Sequence, residues 1–242
     1  MVSTTVSTTV STSQKPLGRI IVTGGASGLG LATARAIAAA GGTPVIFDRD
    51  TAEHDELASR HVDVSDRAML EAAVTEVADE LGGIDGLVTA AGIDRCGRLQ
   101  DVPAEEWEKV IGVNLLGTVS AVRAVLPHLT ASHGRVVTVA SSLALKAVSD
   151  ATAYCASKFG VLGFSRALAA ETKGEIGVTT LIPSGMRTRF FDDRDEKYKP
   201  PADAKLNEPE NVAGAVVFAL QQPAGCEVRE LVICHEEEES WP

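Results

Sequence analysis

From Arg19 to Ile233 the chain alternates short runs rich in valine and isoleucine with longer Ala/Leu/Glu patterns of helical period. That rhythm leaves few folds open. A run apolar at every position reads as a strand covered on both faces, and strand–helix–strand repeats make parallel crossovers. Strands are predicted at residues 19–23, 44–47, around 61–62, 86–89, 135–140, 177–182 and 230–233. Helices are predicted at 30–40, 66–81, 104–112 and onward to 129, 152–172 and 208–221. Seven apolar runs separated by helices predict an α/β fold: one doubly wound Rossmann-type domain, its seven-stranded parallel sheet flanked by helices and its crossovers right-handed. Asp66 ahead of an apolar helix and Gly82-Gly83 behind it are start and stop signals for that element.

With 242 residues there is enough chain for one substantial core. The domain is predicted over 17–242, after a flexible tail at 1–16 whose Ser/Thr/Val repeat lacks the basic start and apolar stretch of a secretory signal. No run of 18 apolar residues is present, so no membrane partner is expected. A net charge of -11 argues against nucleic acid. Part of that charge is the terminal run from Glu236 to Glu239, read as a solvated tail. The four cysteines (Cys96, Cys155, Cys226 and Cys234) have no metal-type spacing, which predicts free thiols, no metal site and a cytoplasmic location.

Tyr154 and Lys158 stand four residues apart on a predicted helix, so phenol and ammonium share one face. A free tyrosine, with a pKa of about 10, is a poor acid or base near neutrality. A neighbouring cation is expected to lower that value towards the range useful for proton transfer to an alcohol or carbonyl oxygen. Between the first strand and helix lies Thr23-Gly24-Gly25-Ala26-Ser27-Gly28-Leu29-Gly30. Its small residues permit a tight turn and let backbone approach a pyrophosphate at a helix N-terminus. It lacks the Gly-Lys-Ser/Thr of a triphosphate loop. Asp48 follows the second strand, where a carboxylate can accept from adenosine ribose hydroxyls and repel a 2′-phosphate, although it could also simply cap the following turn. Arg49 beside it could accommodate that phosphate. Asp63 and Val64, after the third strand, could contact adenine by side chain and backbone, or Asp63 could be an ordinary loop residue.

Together these segments resemble the short-chain dehydrogenase/reductase family, from about Gly18 to Ile233. The glycine pattern TGxxxGxG is matched by Thr23, Gly24, Gly28 and Gly30, and YxxxK by Tyr154 and Lys158. The family's NNAG appears as Thr89-Ala90-Ala91-Gly92, which keeps small residues beside the cofactor but replaces both asparagines. Its helix asparagine looks like Asn114, and its catalytic serine lies in the pair Ser141-Ser142. Ser142 fits by its place in that pair and Ser141 by the longer spacing to Tyr154; the choice falls on Ser142. After the sixth strand the usual Pro-Gly reads Pro183-Ser184-Gly185, with Thr188 where a cofactor-binding threonine is expected. The usual Gly-Gly ending is missing.

The resemblance implies an NAD(P)-dependent oxidoreductase interconverting a secondary alcohol and a ketone. Tyr154 would be the general acid/base, Lys158 would lower its pKa and hold the nicotinamide ribose, Ser142 would hydrogen-bond the substrate oxygen and Asn114 would order a relay water. Asp48 and Ser27 favour NAD(H), with NADP(H) possible through Arg49. Ala/Leu/Val-rich helices around 104–129 and 152–172 imply a homodimer or homotetramer. A non-catalytic dinucleotide-binding regulator and a sugar-nucleotide epimerase or dehydratase are the alternatives. The charged, proline-containing stretch 187–207 interrupts the α/β rhythm and is read as a lid. Its charges, with Asp94, Arg95 and Lys146, lean towards a polar or hydroxylated small-molecule substrate.

Overall fold

The computed structural model describes residues 14–50 and 57–238. Seven strands form one wholly parallel sheet: β1 (Arg19–Thr23), β2 (Thr43–Asp48), β3 (Ala58–His61), β4 (Gly86–Thr89), β5 (Arg135–Val139), β6 (Gly177–Pro183) and β7 (Glu230–Ile233). Their order across the sheet is β3-β2-β1-β4-β5-β6-β7. The helices are α1 (Gly28–Ala39), α2 (Arg67–Leu81), α3 (Ala104–Ile111), α4 (Thr118–Ser132), α5 (Thr152–Glu171) and α6 (Pro209–Leu220).

Alternation along each strand sorts side chains onto two faces. Ile21, Phe47, Leu87 and Val136 pack with Leu70 and Val74 of α2, Val122 and Val125 of α4 and Leu168 of α5. Ile20, Val22, Ile46 and Val88 pack on the other face with Ile37 of α1 and Val212 and Val216 of α6. Both faces are therefore buried, which is why the central strands carry no polar alternation. Strand order reverses between β1 and β4, and the carboxyl ends of those strands diverge there into a crevice.

The predicted rhythm holds, with corrections at particular places. β3 lies at 58–61, just before the expected position, and it is not an apolar run: Ala-Ser-Arg-His forms an edge largely in contact with solvent. Asp66 accepts from Met69 N as the cap of α2, and Gly82 ends it in a left-handed conformation at φ 74. The last residues assigned to the tail are attached, since Lys15 N donates to the Gln221 carbonyl at 3.0 Å and its ammonium to the His133 carbonyl at 2.5 Å. The rest of the predicted tail, 1–13, and the end of the acidic run, 239–242, lie outside the described residues.

A π-helical turn, Gly112–Gly117, joins α3 to α4, so 104–132 is one continuous helical stretch. By length and composition it is apolar enough to cross a membrane; here α4 packs on β4, β5 and α2.

Candidate active site

Of the site residues proposed from the sequence, all but Thr23 and Asn114 line a single cleft of about 1080 Å³ at the carboxyl ends of the strands. Thr23 lies beneath it, its Oγ1 accepting from Ala91 N at 3.4 Å while its carbonyl accepts from Ala90 N at 3.1 Å. These bonds hold the end of β1 against the loop after β4. Gly24 (φ 68) has Ala91 backbone 2.6 Å from where a Cβ would stand, and at Gly30 a Cβ would meet the Gly24 carbonyl oxygen at 2.0 Å. The turn thus closes on itself with room for glycine alone, leaving its backbone open to the cleft.

Asp48 braces that turn. Its Oδ2 accepts from Ala26 N at 2.9 Å and its Oδ1 from Asp50 N at 3.1 Å, so the carboxylate serves as a local cap and also lines the cleft. Arg49 is exposed, and its carbonyl meets His61 Nδ1 at 2.8 Å. At Asp63 burial pushes the carboxyl up, but the Ser65 hydroxyl and amide outweigh this and hold it below the usual carboxylate range.

The π turn explains Asn114. The extra residue per turn brings its side chain, fully buried, beneath the loop after β4, where Oδ1 accepts from Ile93 N at 2.8 Å. Nδ2 donates to the Ile93 carbonyl at 2.9 Å and to Ser157 Oγ at 3.1 Å. Asn114 is a brace between that loop and α5, bonded to the residue just before Lys158.

Tyr154 and Lys158 share one face of α5, with Lys158 Nζ 5.5 Å from the Tyr154 ring centroid. Nζ donates to the Val139 carbonyl at 2.9 Å at the end of β5. Burial lowers the Lys158 pKa from 10.5 to about 8. The expectation that this ammonium draws the Tyr154 pKa down is not met: burial is the largest influence and pushes the phenol up. The Ser141 hydroxyl, and the Arg194 charge more weakly, act the other way and favour the phenolate.

Both serines of the pair line the cleft, and Ser141 is the one that bears on the titration of the phenol. Ser141 Oγ accepts from Leu143 N at 3.1 Å, which leaves its proton free to donate into the site. Ser142 begins the short 3₁₀ turn Ser142–Ala144, one residue beyond. The chain stays extended through Ser141 (φ -171, ψ 160) and turns only at Ser142, so the two side chains have different surroundings.

Further residues lining the cleft come from the stretch read as a lid and from the run read as a solvated tail, which reaches the cleft instead. Phe190, Phe191 and Arg194 come from 187–207, and Glu237 and Glu238 from the acidic C-terminal segment. Two aromatics inside a charged stretch were the available signal for the first group. Ser184 Oγ, at the cleft wall, is buried without a hydrogen-bond partner among the described residues. Asp94 and Arg95 border a smaller side chamber, whereas Lys146 is exposed and lines neither space. Among the described residues no group of His, Cys, Asp and Glu could hold a metal ion.

Residues 19–199 match the family described as short chain dehydrogenase. The chain is 34% identical over 224 residues to (2S)-[(R)-hydroxy(phenyl)methyl]succinyl-CoA dehydrogenase subunit BbsD of Thauera aromatica, covering 85% of this chain and 90% of that one. It is 34% identical over 223 residues to D-threitol dehydrogenase of Mycolicibacterium smegmatis, covering 84% and 86%. Among solved structures it is similar to the aldohexose dehydrogenase of Thermoplasma acidophilum, with a TM-score of 0.84 over 90% of this chain and 92% of that one. Identity there is 23%, so that likeness concerns the fold alone.

Proposed function

The chain belongs to the short-chain dehydrogenase/reductase family, and from that premise we propose that it interconverts a secondary alcohol and a ketone, with Tyr154 exchanging the proton at the substrate oxygen. That it is an oxidoreductase of the NAD(P)(H)-using kind follows from the family. One observation carries the finer reading. In a cleft beginning at the glycine turn, the Tyr154 phenol shares the wall with Ser141 and has the buried ammonium of Lys158 5.5 Å from its ring centroid.

The residues present fit a nicotinamide dinucleotide. The glycine turn would take the pyrophosphate, Asp48 the adenosine ribose, Asp63 and Val64 the adenine, and Lys158 the second ribose. The unpartnered Ser184 hydroxyl and Thr188 stand on the wall available to the nicotinamide end. When bound, the dinucleotide supplies the hydride donor or acceptor.

The protein's own groups hold Tyr154 as a phenol, so it enters as the acid of carbonyl reduction and gives its proton to the oxygen becoming an alcohol. In the other direction it must first lose that proton, and the Ser141 hydroxyl stabilises the resulting phenolate. Ser141 can also donate to the substrate oxygen, where negative charge grows during carbonyl reduction. Lys158 supplies positive charge next to the phenol, fixed in place by the Val139 carbonyl. Asn114 keeps the loop after β4 at the right depth.

NAD(H) is the favoured cofactor in this reading, because the Asp48 carboxylate lines the cleft and nothing basic stands at Ser27. Relatives acting on a polyol and on a hydroxyacyl-CoA, with a cleft of mixed charge, support a hydroxylated small molecule as substrate. Leu116 and Phe159, 57% and 44% exposed on helical stretches that pack together, are the proposed subunit contact of a homodimer or homotetramer. The test is direct: purified protein with NAD and a panel of polyols and simple secondary alcohols, read by the absorbance of reduced cofactor. No turnover of any alcohol, or of the matching ketones with NADH, would reject the assignment.

A further inference from the structure

We infer that Asp94 and Arg194 are positioning residues, whose ion pair fastens the 187–207 segment across the cleft and seats Phe190 against Tyr154. The inference rests on the reading of Tyr154 as the proton-exchanging group. Arg194 Nη2 donates to Asp94 Oδ2 at 2.5 Å, joining the segment to the loop after β4. Only 3% of the Asp94 side chain and 19% of the Arg194 side chain are exposed. Solvent therefore screens this pair little, unlike Arg187–Glu208 at the base of the segment or Lys205–Glu237 near its end, whose partners are all about half exposed or more.

Both sides of the pair are built. Asp94 is held by its own loop, Oδ1 accepting from Arg95 N at 2.7 Å and Oδ2 from the Cys96 thiol at 3.2 Å. Arg194 also donates through Nη1 to the Tyr198 carbonyl at 3.2 Å. Its guanidinium carbon lies 4.6 Å from the Phe191 ring centroid and 5.6 Å from that of Phe190. Phe190 in turn lies 5.7 Å from the Tyr154 ring at an interplanar angle of 59°, a tilted aromatic contact. Contact thus runs unbroken from Asp94 through Arg194 and Phe190 to the phenol. Phe190 and Arg194 wall both the main cleft and the side chamber of about 160 Å³, so their position sets the room beside Tyr154.

Removing the guanidinium leaves the Asp94 carboxylate buried without its cation and releases the ring that covers the phenol. Full-length Arg194→Met and Asp94→Asn are each expected to raise KM for the alcohol and lower kcat/KM by about a hundredfold, the scale for a small misplacement at a reacting centre. Affinity for NAD(H), measured separately, should not change. Arg194→Lys keeps the charge and should recover most of the loss. The double variant should be no worse than either single one, because both remove the same contact. Chymotrypsin reads the segment without turnover: cutting at Phe190, Phe191 and Tyr198 should be faster in Arg194→Met and Asp94→Asn and near the original rate in Arg194→Lys. If Asp94→Asn does not fold, the two Arg194 variants decide. Unchanged KM and digestion in Arg194→Met, or losses that add in the double variant, overturn the inference. A protein inactive on every alcohol would reject the proposed reaction, and the order of digestion would still decide the pairing.

Discussion

Replacing Lys158 with methionine is expected to stabilise this protein while ending its turnover. Lys158 is 5% exposed, and burial lowers its ammonium pKa from 10.5 to about 8, with Asp94 pulling weakly the other way. At about 1.4 kcal/mol per pKa unit, holding that charge at neutral pH costs the fold about 3 kcal/mol. Methionine keeps the unbranched stem and removes the charge. It also removes the 2.9 Å bond to the Val139 carbonyl, a loss of about 1–2 kcal/mol. The net gain is about 1–2 kcal/mol, or about 2–8 °C in melting temperature for a chain of this size. The sign has a pH signature. Below about pH 8 lysine is protonated in both states and the penalty is complete; between about 8 and 10.5 only the unfolded chain keeps the proton, so the native state gains stability as pH rises. The advantage of Lys158→Met should therefore be full at pH 7 and shrink steadily from pH 8 upward. Urea denaturation of both proteins without cofactor, repeated from pH 6 to 10, measures it. An equal or lower midpoint for the variant at pH 7, or a difference that ignores pH, would refute the reasoning.

Tyr154→Phe should lower kcat by about a hundredfold or more while leaving NAD(H) binding intact, measured by turnover and by cofactor titration. Ser141→Ala should cost about a hundredfold and Ser142→Ala far less, since the Ser141 hydroxyl is the group favouring the phenolate; the reverse order would support the choice made from the sequence. Asp48→Ser should shift the ratio of kcat/KM for NADP over NAD upward by about tenfold or more, because a carboxylate near the 2′-phosphate repels it at close range. If the unmodified protein uses both cofactors equally, Arg49 decides instead. Light scattering at micromolar concentration should give two or four times the chain mass, and Leu116→Glu should reduce it.

Local pattern was enough to specify the sheet. Runs such as Ile20-Ile21-Val22 and Val136-Val137 are apolar on both sides of the chain, and only a parallel strand covered by helices on two faces buries them both. It also determined the glycine turn and the Tyr154/Lys158 face, because local geometry fixes those contacts: a turn with no room for Cβ, and a helix that places every fourth residue in register. Tertiary structure decided what depends on groups distant in the chain. Which serine meets Tyr154 turns on how the chain leaves β5, and the pair Ser141-Ser142 looks alike to any local pattern. The π turn around Asn114 has no marker in composition, yet it sets how deep that amide lies. Burial pushes the Tyr154 phenol up despite its helix neighbour, and burial is a property of everything packed around a group. Arg194 found Asp94 across the cleft for the same reason, since an ion pair between segments this distant forms only once the sheet has placed both loops at one end.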